Sequence, residues 1–563
     1  MTPNSMGIGR GSEAPITLAG LLTRTQVKIM SQTTGTAGQA PYTEATAFKP
    51  VSLALGLIIG LGVFFLLPES LALDARIVAG IAMLMATWWM TEAIPIPATS
   101  LLPLVLFPML NIAEIGDFSG QYTAPTIFLF MGGFLLALAM QRWNLHRRVA
   151  LWVLVAMGSS PKLLVLGFMI ATGFLSMWVS NTATAVMMLP IGVSVLSLIV
   201  GMLREEKNGA AFAEEAGADE DDVEALLDDA DAIGDDGDGE GSTSTVSTDE
   251  APKSNFGIAL MLGIAYAASI GSLGTIIGTP PNAMLAAYMA EQGVNIGFGQ
   301  WMLVGVPVSL ILMAAAWFLL TNVLYKPEID HIPGGRSLMK DELAKLGPMS
   351  KGEIRVLLVF IAAALSWVFV PVIWPGTIVA DAVIAMAVGV ALFLIPGGPD
   401  GAKLMTWKTA LELPWGVLLL FGGGLALSNQ FTANGLSDWI GEQMAGLGFL
   451  PIILLVVIVA AVVLVLTEFT SNTATAATFL PLVGAMAIGL GVDQMLLAVP
   501  VALAATSAFM MPVATPPNAI AFGSGYVKIG DMIKGGVWLN AIAVVLITLA
   551  AYFIAVPVFG LVV

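Results

Sequence analysis

The 563-residue sequence predicts an all-α polytopic membrane protein made of two inverted repeats, with about eleven transmembrane helices and two re-entrant hairpins. Three observations predict it. The chain is 57% hydrophobic and only 11% charged, with a mean hydropathy of +0.89; soluble domains carry nearer a quarter of charged residues. Apolar runs of membrane-crossing length follow one another from residue 51 to 562. Short polar motifs inside those runs occur twice.

Residues 1–50 are polar and lack the continuous apolar core of a signal peptide, so no cleaved leader is expected. Apolar spans follow at roughly 51–67, 76–90, 98–111, 124–141, 163–203, 256–290, 301–325, 355–374, 379–396, 413–428, 450–489, 496–525 and 536–562. About 20 helical residues cross a bilayer. Spans 163–203 and 450–489 are about twice that length, and each carries Ser-Asn-Thr in its middle with a proline nearby. Such a span crosses twice, or enters and turns back as a re-entrant hairpin.

Charge decides between these. With the N-terminus inside and both long spans returning to their starting side, 21 of the 22 Lys and Arg residues fall on the cytoplasmic side, and only Arg76 lies outside. Loops 291–300 and 429–449 carry no Lys or Arg and face outside. A full crossing at either hairpin reverses every later loop. The expected result is eleven spanning helices, two hairpins, a cytoplasmic N-terminus and a C-terminus outside.

The formal charge of −17 belongs mostly to one segment. Residues 204–253 hold 18 Asp and Glu against three Lys and Arg, and the rest of the chain is close to neutral. This low-complexity stretch is expected as a disordered cytoplasmic insert, a solvated linker in preference to a docking segment for a basic partner.

The two halves match. Ser-Asn-Thr-Ala-Thr-Ala occurs at 180–185 and 471–476, each followed by Leu-Pro (Leu189-Pro190 and Leu480-Pro481). At the same offset of 291 residues, the glycine motif at 130–133 matches that at 421–424. Thr-Pro-Pro-Asn-Ala occurs at 279–283 and 515–519. The first half is longer between its last two motifs by 55 residues, about the length of the acidic insert. In the orientation above, one hairpin enters from inside and the other from outside. Inverted repeats of this kind are the architecture of secondary transporters, whose sites lie at midplane between the repeats.

The motifs carry the chemistry. Ser180, Asn181 and Thr182 are expected to end one half-helix and start the next, leaving free N–H groups and a partial positive charge at the turn. An anion docks there without a cationic side chain. An asparagine amide offers a donor to a carboxylate and an acceptor to a cation. Ser471, Asn472 and Thr473 repeat the arrangement. Taken singly, such a triplet is as well explained by packing across helices; its duplication in inverted context argues for a site. Pro280 and Pro281 deprive the carbonyls of Ile276 and Ile277 of helical partners, so span 256–290 is expected to break near Gly278–Thr279, with Thr279 as N-cap. Pro512, Pro516 and Pro517 do the same to span 496–525, with Thr515 as cap. Broken helices at membrane depth line cavities, and their freed carbonyls suit an alkali cation. A plain proline kink is the alternative for either copy alone.

Four helix starts are thus expected to converge, none with a Lys or Arg in its motif. A multivalent anion at such depth is costly unless cations bind with it, which makes ion coupling a physical expectation. Two intramembrane acids remain. Glu468, three residues before Ser471, is matched by Met177 in the first half, and either a direct role or local helix capping is open to it. Glu92 reads as mostly structural, and the repeated glycines as sites of close helix packing. An intramembrane enzyme lacks its groups: there is no cysteine, His146 and His331 lie outside the apolar spans, and those spans hold no close carboxylate pair. No phosphate-loop motif couples the chain to ATP, and no nucleic-acid partner is expected.

The run WWMTEAIPIP at 88–97, the paired Ser-Asn-Thr motifs and the paired Thr-Pro-Pro-Asn motifs resemble the divalent anion/sodium symporter family, the dicarboxylate, citrate and sulfate carriers. The resemblance covers about 76–203 and 256–562. It implies a homodimer in the plasma membrane, the inner membrane of a Gram-negative cell. Each protomer has a scaffold domain and a transport domain that moves across the bilayer like an elevator. Residues 1–50 are then a tail, 51–141 scaffold helices, 142–203 the first hairpin, 204–255 the insert and 256–325 a broken helix and its successor. Residues 326–428 are a cytoplasmic linker with scaffold helices, 429–489 the second hairpin, and 490–563 a broken helix and the last helix. The hairpins and broken helices form the transport domain. The resemblance implies one Na+ site from Ser176, Ser180, Asn181 and the Gly278 carbonyl, and another from Thr467, Asn472 and the Ala514 carbonyl. It implies an anion held by Asn181, Thr182, Asn472, Thr473, Thr279 and Thr515. The expected function is sodium-coupled uptake of a C4-dicarboxylate such as succinate or malate. A sulfate or citrate carrier or a sodium-independent exchanger is the alternative of the same fold, and a passive anion channel one of another class.

Overall fold

The computed structural model describes residues 49–216 and 254–562, apart from residues 159, 330, 333, 334, 375, 399, 400, 447 and 448. The polar tail over 1–48 and residues 217–253 of the acidic segment lie outside the described residues. Regular structure among the described residues is helical, with one isolated bridge between Pro396 and Lys403.

The first helices are α1 (Pro50–Leu66), α2 (Leu73–Thr91) and α3 (Pro125–Arg142). Arg76, the one basic residue assigned to the outside, donates to the Phe64 carbonyl at 3.1 Å and ties α2 to the end of α1. Next come α4 (Leu145–Met157), α5 (Pro161–Ser176) and α6 (Asn181–Ala216). The long span 163–203 therefore is two helices, parted at Ser-Asn-Thr. Helix α6 runs 13 residues into the segment expected as disordered, to Ala216. That stretch is rich in Ala and Glu, whose helix propensity outweighs the crowding of like charge.

The first broken helix is α7 (Asn255–Ser272) and α8 (Pro280–Glu291). Helix α9 (Phe298–Phe318) continues as a π-helical stretch, Leu319–Leu324. Helices α10 (Gly335–Lys345), α11 (Lys351–Ile373) and α12 (Asp381–Leu394) lead to α13 (Trp415–Ala433) and α14 (Leu436–Ala445). The second long span is α15 (Ile452–Thr467) and α16 (Asn472–Leu490). The second broken helix is α17 (Met495–Thr506) and α18 (Pro516–Gly523), and α19 (Ile529–Ala550) follows, continued by a π-helical stretch, Ala551–Ala555, and a last turn, Val556–Phe559.

Among the described residues eight helices are long and apolar enough to cross a membrane, which makes the chain a polytopic membrane protein. Six fall on expected spans, and the other two are halves of longer ones, α7 of 256–290 and α16 of 450–489. Four expected spans are shorter: α1, α12, the proline-rich stretch Ile96–Met109, and α17 with α18, parted at Pro512–Pro517.

The broken helices form the core. Every residue of α7 from Phe256 to Ser272 is buried, as is all of α17. A helix apolar on every side belongs inside. Helix α11 is the opposite case: Leu358, Ile361, Leu365, Phe369 and Val372 form an exposed apolar stripe of the kind that faces lipid or another protein surface. The glycine motifs bring backbones together. A Cβ on Gly132 would stand 2.4 Å from the Ala385 carbonyl, and one on Gly423 2.3 Å from that of Ser100. In the first turn of α4, buried Arg148 meets Glu353 of α11 at 2.7 Å and the Gly347 carbonyl at 2.9 Å, fixing the helix that leads into α5.

Candidate functional site

Both Ser-Asn-Thr turns are N-caps of the same kind. The N–H of Ala183 donates to Ser180 Oγ at 3.3 Å, and that of Ala474 to Ser471 Oγ at 3.5 Å. The serine is the cap and the asparagine the first helical residue in each. Asn181 Oδ1 accepts from the Thr182 N–H at 2.9 Å. Asn472 Oδ1 lies 2.8 Å from the Thr467 hydroxyl. All six residues of the two triplets are half-buried, which leaves them within reach of a solute.

The residue before each turn anchors it to a broken helix. Fully buried Ser176 donates to the Ala268 carbonyl of α7 at 2.5 Å. Fully buried Thr467, at the matching position, lies 2.7 Å from the Ala505 carbonyl of α17.

The helix breaks are wider than proline alone requires. Helix α7 ends at Ser272, six residues before the expected break at Gly278–Thr279. Asn282 explains the width: its Nδ2 lies 3.3, 3.2 and 2.9 Å from the carbonyls of Ser272, Leu273 and Thr275. Asn518 Nδ2 repeats this, 3.2 Å from the Ala508 carbonyl and 3.1 Å from that of Met511. Both asparagines are fully buried, and neither Oδ1 has a partner among the described residues. Each thus acts as a clasp on carbonyls freed by its own break. The amide of Gly278 donates to Thr275 O at 3.4 Å and that of Ala514 to Met511 O at 3.2 Å, again in register. Position 278 also demands glycine, since a Cβ there would stand 2.3 Å from the Ser272 carbonyl. The signal for these clasps was the fourth letter of the repeated Thr-Pro-Pro-Asn.

The two threonine caps differ. Thr515 Oγ1 accepts from the Asn518 N–H at 3.3 Å, as a cap should. Thr279 occupies the cap position with extended backbone but makes no side-chain cap bond. Its hydroxyl turns instead to Thr506 Oγ1 at 3.4 Å, at the end of α17. That contact joins the two broken helices directly.

Glu468 serves the second break. Its carboxyl, 1% exposed, accepts from the N–H groups of Phe509 at 2.8 Å, Met510 at 3.0 Å and Met511 at 3.0 Å, and from Asn540 Nδ2 at 2.6 Å. It therefore reaches beyond its own helix end and grips an unwound strand about 40 residues away. Met177, its counterpart, offers only a backbone carbonyl, which accepts from Thr275 Oγ1. Glu92 sits exposed at the left-handed C-cap of α2, with φ 47°.

Helices from the two halves pack across one another. Helix α6, from the first Ser-Asn-Thr, packs against α18, from the second Thr-Pro-Pro-Asn. Helix α16, from the second Ser-Asn-Thr, packs against α8, from the first Thr-Pro-Pro-Asn. The donors on offer are neutral: hydroxyls, amides and main-chain groups. Among the described residues no cluster of His, Cys, Asp and Glu could hold a metal ion. Such oxygen donors suit a hard alkali cation, and the helix N-termini suit an anion.

The family description "Sodium:sulfate symporter transmembrane region" matches residues 48–561. The sodium-dependent dicarboxylate transporter SdcS of Staphylococcus saprophyticus is 41% identical over 523 residues, covering 91% of this chain and 93% of its own. SdcS of Staphylococcus aureus is 41% identical over 534 residues, covering 92% of this chain and 95% of its own. The Alcanivorax borkumensis YdaH transporter aligns in structure over 86% of this chain and 98% of its own, with 14% identity and a TM-score of 0.47.

Proposed function

The chain belongs to the sodium:sulfate symporter family, and from that premise we propose that it is a secondary carrier coupling sodium to the uptake of a C4-dicarboxylate such as succinate or malate. The observation that carries this reading is the crossed packing of α6 on α18 and of α16 on α8, which puts helices that begin at neutral motifs in one half against those of the other. Asn181, Thr182, Thr279, Asn472, Thr473 and Thr515 hold the anion through N–H and hydroxyl donors. One Na+ is held by Ser176, Ser180, Asn181 and the Gly278 carbonyl, the other by Thr467, Asn472 and the Ala514 carbonyl. Each asparagine serves both ligands, its amide nitrogen toward the anion and its oxygen toward the cation. The sodium charges offset the cost of a dianion away from water, so neither ligand binds well alone. That mutual need is the coupling.

Under this reading the two halves are inverted repeats. The segments 142–203 and 429–489 are re-entrant hairpins that move with the broken helices against a scaffold, within a homodimer in the plasma membrane, N-terminus inside and C-terminus out. The test is uptake into proteoliposomes of dicarboxylates, citrate and sulfate, with and without a sodium gradient. Succinate or malate uptake that follows the gradient is expected. Uptake indifferent to sodium defeats the coupling, and transport of sulfate alone defeats the substrate. Asn181→Ala and Asn472→Ala should each lower uptake at least about tenfold, the weight of one lost hydrogen bond to a charged group.

A further inference from the structure

Glu291 ends α8 and is used by none of the groups above. Both its carboxyl oxygens are sealed from solvent, and neither has a hydrogen-bond partner among the described residues. The Ser428 hydroxyl of α13 faces it and pulls its pKa down, by less than burial raises it. The helices packed most closely on α8 are α3, α13, α16 and α17. The last three contain no titratable residue, and α3 contains only Arg142, which is engaged with Thr409 at 3.4 Å. The following loop, 292–297, has none either. The other ionisable groups nearby are Tyr288, whose hydroxyl donates to Gln494 at 3.0 Å, and Asp493, which accepts from the Met495 N–H at 2.9 Å. Among the described residues no cation offsets a charge on Glu291. Burial pushes its carboxyl from the ordinary 4.5 up to about 8.

We propose that Glu291 is a proton-binding site of this carrier, holding a proton while α8 is packed on α13 and releasing it when that contact opens to water. The inference rests on the carrier reading, in which α8 moves and α13 does not. The sign follows from linkage. The packed form binds the proton more tightly than the open form, so it is favoured in acid. Between about pH 4.5 and 8, each unit of rise weakens it about tenfold against the open form, and above 8 the effect levels off.

The test is hydrogen–deuterium exchange of residues 284–297 in the full-length protein in lipid nanodiscs, at pH 6 and pH 8. Each rate is divided by the intrinsic chemical rate at that pH. Protection in the wild type should fall at least about tenfold more than in Glu291→Gln, which has no proton to lose. Glu291→Met, neutral and of similar length, should behave as Glu291→Gln does, which covers the case of one variant folding poorly. Equal changes in the wild type and either variant overturn the proposal. Sodium-driven uptake is scored separately at pH 7. Its absence defeats the carrier reading, while the exchange comparison still decides the proton site.

Discussion

In the first broken helix, residues 273–279 are held by Asn282 and by Thr275 on the Met177 carbonyl. In the second, Asn518 repeats the clasp, but the strand 509–511 hangs on a carboxyl, that of Glu468. The backbone plan is shared and the means of holding it is not. In the first copy the anchor is main chain, which any residue at 177 supplies. In the second it is a single side chain, which no other residue type replaces. The copies therefore tolerate substitution unequally, and only the second places an acid next to Thr467, one of the proposed sodium ligands.

The sharpest way to break this comparison is Glu468→Ala against Met177→Ala. The first strands three N–H groups, that of Phe509 fully buried and those of Met510 and Met511 partly so, and a buried amide, at up to about 1–3 kcal/mol each, and should drop the unfolding temperature in detergent steeply or prevent folding. Met177→Ala keeps the carbonyl and should cost much less. Equal losses would remove the asymmetry. Next come Asn282→Ala and Asn518→Ala, each expected to cost about 1–3 kcal/mol and to weaken sodium dependence of uptake, with Asn282 the costlier because it serves three carbonyls against two. An unchanged sodium requirement in both would separate the clasps from the site. Thr515→Ala should cost about 1 kcal/mol through its lost cap, and Thr279→Ala less, since its hydroxyl caps nothing; thermal unfolding of the pair reads this directly. Smallest of all, deletion of 217–252 should leave uptake rates within about twofold, as expected of a segment too polar to build a core.

Much of this was legible in the residue order. The Ser-Asn-Thr turns part α5 from α6 and α15 from α16 where the motifs stand, because an N-capping residue is a local instruction. Proline placed the starts of α8 and α18 for the same reason. The widths of the breaks were not legible. They depend on Asn282 and Asn518 reaching back seven and ten residues, a choice made only once the unwound carbonyls are buried. Thr279 shows the limit from the other side: local rules make it a cap, and a hydroxyl from the other half claims it.

By itself the sequence determined that the chain lives in lipid, where the helices after its capping and proline motifs start, and that its polar motifs come in pairs, since hydropathy, capping and proline act over one or two turns. Tertiary structure alone decided which paired motif meets which, that Glu468 grips 509–511, and that Glu291 is buried without a counter-charge. The reason is physical. An unpaired polar group costs little in water and much in a dry interior, so its partner is settled only when the helices that exclude water have closed around it.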